Sequence, residues 1–419
     1  MADAGKRIQI IGRRGSSEAY ALRDFLHRCD VPFDWIELQG NEKGGTAGLH
    51  TTPDPDRLPV CIFPDGTQLE RATVRQVSEK LGLFRSPSRS EYDLAIYGAG
   101  PAGLSAAVYG ASEGLRTVVV ERFAIGGQAS TSPKIENYLG FPQGISGAEL
   151  AGRAREQAVR FGAEILLLRE GIRGEFMPGK GIGYLSDGTK IVAHASICAT
   201  GVEYRRLNVP EEERFRGAGL YYGAGASEAS LCSASDHVYI VGGGNSAAQA
   251  AMHFARYAAK ATMVVRDRSL KNTVSQYLVD RINSSPKVEV LYCTEVVALH
   301  GDDALRAITL RNKDTGKEWT ADTQWLFLCL GGNPHTQWAE EVGIVRDEGG
   351  YLVTGPDLLR NGKRPENWPL NRDPYYLETN VPGVFAAGDV RHNSVKRCAS
   401  AVGEGAMAVS LVHRYVTAG

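Results

Sequence analysis

The chain has 419 residues, 43% of them hydrophobic and 23% charged, with Lys+Arg 47 against Asp+Glu 48 and a formal net charge of −1. That balance provides no electrostatic footprint for nucleic acid or an anionic surface, and no run of about 18 apolar residues offers a membrane span. The length suits two or three domains. From the N-terminus, residues 1–85 read as a small unit of their own. RIQIIG (7–12) predicts a strand, Glu18–Arg28 a helix and PFDWIEL (32–38) a second strand. A Gly-rich loop at 40–48 follows, then an apolar run from Leu58 to Phe63, an Asp65-Gly66 hairpin turn and a helix at about 72–81.

This order of strand, helix, strand, hairpin and helix resembles the thioredoxin/glutaredoxin fold, with Pro59 where that family carries a cis-proline. The resemblance places a dithiol at the start of the first helix. Here that position holds Ser16, Ser17, Glu18 and Ala19, and a hydroxyl cannot perform thiolate exchange. A docking or dimer-building role is expected for the unit. Residues 86–91 form a polar linker.

From residue 92 the pattern becomes strand, glycine turn, helix, strand. DLAIYG (93–98) leads through Gly98-Ala99-Gly100-Pro101-Ala102-Gly103 to TVVVER (117–122). Gly98 permits the tight turn, Gly100 lets the backbone approach a pyrophosphate, and Gly103 lets the helix pack on its strand. A diphosphate at that helix N-terminus, Pro101-Ala102-Gly103, meets the free N–H groups of the first turn. Glu121 lies roughly 20 residues on, where an acid binds ribose hydroxyls. A second such unit runs from DHVYIVGGG (236–244) through Asn245, Ser246 and Ala247 to ATMVVR (261–266). Gly242, Gly244 and Ala247 fill the same three roles. Arg266 and Lys271 at the far strand end suit the 2′-phosphate of NADPH, outvoting Asp267. Arg268 reads equally as a solvated charge.

Ala199-Thr200-Gly201 and Ala386-Ala387-Gly388-Asp389 complete the pattern. They resemble the crossover and late Gly-Asp segments of flavoproteins with two dinucleotide domains, whose Asp holds FAD. Taken alone, Asp389 would pass for a helix N-cap. A helical run is predicted from about Ser400 to Tyr415. The resulting fold class is α/β. It has two Rossmann-like three-layer domains plus the small thioredoxin-like one. Residues 92–207 and 332–419 form a split FAD domain around an NADPH domain at 208–331.

With Gly126-Gly127-Gln128, Ile135-Glu136-Asn137-Tyr138 and SVKR-x-ASAVGEG also in order, the chain from about Glu91 onward resembles the low-molecular-weight thioredoxin reductases. The resemblance implies FAD, NADPH, a homodimer and a domain rotation. It also implies that Gly127, Gln128 and Asn137 line the isoalloxazine, with Arg397, Cys398 and Ala399 along its edge. One departure stands out. The family's C-x-x-C precedes the second fingerprint, where this chain reads Tyr221-Tyr222-Gly223-Ala224-Gly225-Ala226-Ser227-Glu228. Alignment puts Gly223 and Ala226 at the cysteine positions.

None of the seven cysteines (29, 61, 198, 232, 293, 329 and 398) forms a C-x-x-C. Most are expected to be buried and inert. Cys398 is the candidate catalytic thiol, and a small packing residue is the plainer reading. Cys232 is a second candidate. Tyr221 and Tyr222 suit either flavin stacking or core packing. His392 is a proton donor or a surface residue, and 368–376 an aromatic insertion. No metal-ligand spacing is present. The expected activity is hydride transfer from NADPH to FAD and on to an unidentified acceptor. A thiol reductase using non-motif cysteines, a one-electron reductase and a slow flavin-based sensor are the alternatives. The opening MADAGKRIQIIGRRG lacks a signal-peptide core, so cytoplasm is the expected location.

Overall fold

The computed structural model describes residues 7–38, 54–225, 228–271 and 273–418. The Gly-rich loop expected at 40–48, together with Ala226 and Ser227, lies outside the described residues. The chain divides into two compact units. One joins the N-terminal residues through Leu81 to Thr131–Lys134 and Tyr204–Gly331. The other joins Gly82–Ser130, Ile135–Glu203 and Gly332–Gly419.

Among the described residues the first unit contains three sheets. The N-terminal sheet runs Phe33–Glu37, Ile8–Gly12, Val60–Ile62, Gln68–Leu69. The first pair is parallel, with Ile10 beside Trp35, and the others are antiparallel. The Leu58–Pro59 peptide is cis. The helix Ser17–Arg28 starts where the Ser16 hydroxyl accepts from Ala19 N at 3.2 Å. It buries Ala19, Leu22, Phe25 and Leu26, an i, i+3 stripe. The helix Val74–Lys80 opens with a Thr73–Gln76 capping box.

The larger sheet is all parallel, ordered Leu220–Tyr222, Trp325–Leu328, His237–Val241, Lys260–Val264, Val288–Leu291. Both faces are covered, so its strands are apolar on both sides. Val238 and Ile240 face the core shared with the helices Asn245–Phe254 and Gln276–Ser284. Tyr239 and Val241 face a core shared with an antiparallel meander, Thr294–Gly301, Leu305–Asn312 and Glu318–Asp322.

The second unit is built on Tyr92–Tyr97, flanked in parallel by Thr117–Val120 and Lys190–Cys198, with Glu164–Leu166 beyond the former. The long strand Lys190–Cys198 changes partner along its length. Residues 190–193 pair antiparallel with Lys180–Leu185, and 196–198 pair parallel with Val384–Ala386. The helix Cys398–Ala418 packs tightly on Pro101–Ser112, since a Cβ on Gly405 would stand 2.1 Å from Ala102 O. It begins at Cys398, earlier than the Ser400 expected, because Ala401 N already donates to Arg397 O at 3.0 Å. Among the described residues no helix is long and apolar enough to cross a membrane.

Candidate functional site

Gly98 holds φ +104, and a Cβ there would lie 2.4 Å from Ala199 O. No L-residue tolerates both constraints, which is why the strand-to-helix turn needs glycine. A Cβ on Gly103 would lie 1.8 Å from Gly98 O, so the helix seats directly on the turn. Gly100 is the N-cap of Pro101–Ser112 and contributes no side-chain cap. The first N–H groups of that helix therefore look outward. Gly127 closes on the same spot, since a Cβ there would be 3.1 Å from Gly100 Cα. Glu121 stands one residue beyond the end of its strand and is 8% exposed. Its two oxygens accept from Ala99 N at 2.8 Å and Phe123 N at 2.9 Å, which pins the glycine turn.

Around this turn the second unit gathers the other expected segments. Gln128 donates through Nε2 to Val202 O at 2.7 Å, tying the 127–131 turn to the exposed Thr200 and to Gly201, φ +64. Gly388, φ +79, lies against the fingerprint helix, where its Cβ would meet Ala102 Cβ at 2.9 Å. Its N–H donates to Glu404 Oε2 at 2.7 Å, and Glu404 Oε1 accepts from Arg391 Nη2 at 2.5 Å. No helix begins at Asp389, so the N-cap alternative fails. Burial raises the Asp389 carboxyl above its usual range, opposed by Lys396 and supported by Glu404. Asn137, Arg397 and Ala399 are exposed. Cys398 is half-buried, and burial, with Asp389 adding, raises its thiol. A raised thiol is a poor nucleophile near neutral pH.

In the first unit, Gly242 has φ +147, and a Cβ there would stand 2.4 Å from Cys329 O. Gly244 is the N-cap of Asn245–Phe254, again without a side-chain cap, and faces open space. Ala247 is fully buried at the packing position. Asn245 Oδ1 accepts from Ser275 N at 2.7 Å, while Ser246 is exposed. Arg266 and Lys271 are exposed beyond the neighbouring strand. Arg268 pairs with Asp314 at 3.0 Å, which favours its reading as a surface charge.

The segment before this fingerprint is closed by packing. Gly223 has φ +88, and a Cβ there would lie 2.6 Å from Tyr204 Oη and 2.9 Å from Thr131 Oγ1. Gly225 has φ +59, and its Cβ would fall 2.1 Å from Phe327 Cε1. Tyr221 is buried between Phe327 and Tyr20, and Tyr222 bonds to Glu212, so both tyrosines serve packing. Glu228 forms a buried ion pair with Arg23 at 2.9 Å. Burial also pushes the Cys232 thiol up. His392 is engaged by Asp347 at 2.6 Å. The insertion at 368–376 folds on Glu378, which receives Arg372 Nη1 at 2.6 Å. Among the described residues no group of His, Cys, Asp and Glu could hold a metal ion.

The pyridine nucleotide-disulphide oxidoreductase family matches residues 92–405. The chain belongs to this family, in its thioredoxin reductase-like group. It is 34% identical over 327 residues to a thioredoxin reductase of Bacillus subtilis, covering 78% of this chain and 95% of that one. It is 33% identical over 331 residues to the Arabidopsis thaliana protein named NADPH-dependent thioredoxin reductase 3, covering 78% of this chain and 58% of that relative's length. The solved thioredoxin reductase of Lactococcus lactis superposes with a TM-score of 0.68 at 27% identity, covering 78% of this chain and all of that one. Thioredoxin reductase-like proteins are oxidoreductases that use FAD and NADPH.

Within this thioredoxin reductase-like chain, three sets of residues escape a reading by motif. Glu404 with Arg391 holds the Gly388 turn, Tyr204 with Thr131 occupies the space beside Gly223, and Arg23 reaches Glu228. Glu404 alone carried a signal, as the one acid in the helix ASAVGEGAMAV beside the close-packed Gly405.

Proposed function

We propose that the chain is an FAD-dependent NADPH oxidoreductase that passes electrons to an acceptor outside the chain. Two glycine turns, each opening a helix without a side-chain cap, carry the reading. Glycines 98, 100, 103 and 127 leave backbone room for a diphosphate, so the residues fit FAD. Glu121 has lone pairs left for ribose hydroxyls. Gly388 and Asp389 sit beside the same helix N-terminus, and Thr200–Gly201 completes the rim. Gly242, Gly244 and the exposed Arg266 and Lys271 fit NADPH in the same way. When both are bound, the nicotinamide supplies a hydride that the flavin accepts. The chain's share is to orient the two nucleotides and exclude water, with no acid–base group required.

The raised thiols of Cys398 and Cys232, and the glycine-only geometry at Gly223, weigh against a thiol relay inside the chain. Residues 1–85 are read as a thioredoxin/glutaredoxin-like domain without a dithiol. The strand order supports this. Residues 92–207 with 332–419 are read as the FAD domain and 208–331 as the NADPH domain, in a homodimer like those of the family. Anaerobic mixing with NADPH is expected to bleach the oxidised flavin band. A band that persists overturns the proposal.

A further inference from the structure

The N-terminal module and the nucleotide-binding part of the first unit share a contact that the proposed reaction leaves unused. Arg23 Nη2 lies 2.9 Å from Glu228 Oε2, and the two side chains are 2% and 1% exposed. The Arg23 guanidinium also lies over the Trp35 ring, 4.2 Å from its centroid. On the same helix, Tyr20 meets Tyr221 at 5.0 Å between centroids, and Tyr221 stacks on Phe327 at 5.1 Å. Gly217, φ +75, lets the start of that helix approach, since a Cβ there would stand 3.0 Å from Tyr20 Cδ1 and 3.1 Å from Ser17 Cα. Arg14 lies 5.6 Å over the Trp325 ring.

Each side thus carries groups that water tolerates poorly without the other. Tyr221 and Trp325 are buried and meet Tyr20 and Arg14 of the module, and a one-to-one charge pair sets the register. A buried ion pair adds little net stability, but removing one partner is strongly unfavourable and removing both is nearly neutral. That asymmetry makes the pair a selector for one partner rather than a general adhesive.

We propose that the face around Gly217, Tyr221 and Glu228 is a permanent docking surface whose partner is the chain's own residues 7–38 with 54–81. The module is not a loosely tethered carrier. It closes this face to outside proteins, so a soluble dithiol carrier cannot dock there. This last consequence rests on the reading of the chain as a flavin reductase without a resident dithiol, whereas the docking does not.

The test inserts a protease site at the exposed Arg85–Ser86 step of the full-length holoenzyme and cuts it in the folded state. The two fragments are expected to co-elute in size exclusion at micromolar concentration. In Arg23→Glu, which sets two carboxylates face to face, at least tenfold more of the module is expected to elute free. The double variant Arg23→Leu/Glu228→Leu is expected to hold together. Wild-type fragments that part, or Arg23→Glu fragments that stay together, overturn the proposal. Flavin bleaching by NADPH in the cut protein reports separately on the reductase reading. Should Arg23→Glu fail to fold, hydrogen exchange in Arg23→Lys decides. Faster exchange at Glu228–Leu231 supports the docking, and an unchanged rate refutes it.

Discussion

Replacing Gly223 by alanine adds one methyl group to the segment that departs most from the thioredoxin reductases. The backbone there has φ +88, a conformation that costs an L-residue about 1–2 kcal/mol. The new Cβ would lie 2.6 Å from Tyr204 Oη and 2.9 Å from Thr131 Oγ1, two hydroxyls that bond to each other at 3.1 Å. Forcing a carbon into such a gap costs a further ~1–3 kcal/mol. The expected loss is about 2–5 kcal/mol, or roughly 5–20 °C in melting temperature for a unit of this size. Urea titration followed by tryptophan fluorescence measures it. Tyr204→Phe removes the nearer oxygen and leaves φ untouched, so the alanine penalty is expected to shrink by ~1–2 kcal/mol in that background. A Gly223→Ala protein within about 0.5 kcal/mol of the parent would refute the reasoning, as would the absence of relief in Tyr204→Phe. The functional corollary is direct. Gly223→Cys meets the same obstruction, and insulin reduction with added thioredoxin is expected to stay at background.

Glu404→Gln keeps an acceptor for Gly388 N but removes the charge facing Arg391, which is 7% exposed. FAD affinity, titrated by fluorescence quenching onto the apoprotein, is expected to weaken about 5–30-fold, a loss of ~1–2 kcal/mol. An unchanged affinity would count against Glu404 as a support of the flavin-side turn. His253 is depressed to about 4, chiefly by burial and then by Arg256 and His27. Between about pH 6.5 and 4 the unfolded chain binds a proton that the folded one refuses, so stability falls on acidification, at most by about 1.4 kcal/mol per pH unit and less for a partly solvated ring. His253→Gln should flatten that part of a denaturation-versus-pH curve, and an unaltered slope would assign the loss elsewhere. Cys398, raised by burial and Asp389, is expected to react with iodoacetamide more slowly at pH 8 than free cysteine. Cys398→Ser is expected to bleach with NADPH at the parent rate, and a lost bleaching phase would restore the thiol to the mechanism.

What the amino-acid sequence determined here is local in origin. Glycine at 98 and 242 is required by a positive φ and a carbonyl within 2.4 Å, so the two strand-to-helix turns were legible from their spacing. The Ser16 cap, the Thr73–Gln76 box and the alternating faces of His237–Val241 depend on neighbours a few residues away, and their elements appeared within a residue or two of expectation. The tertiary structure decided whatever joins distant segments. Glu404 reaches Gly388 only because Gly405 lets one helix settle on another, and Asp389 has no helix to cap because its chain runs on as a loop to Cys398. Tyr204 fills the space beside Gly223 from another strand, and Arg23 meets Glu228 across 205 residues. Such contacts leave no period or spacing in the chain, because packing pairs side chains by shape and charge in space rather than by their separation in sequence.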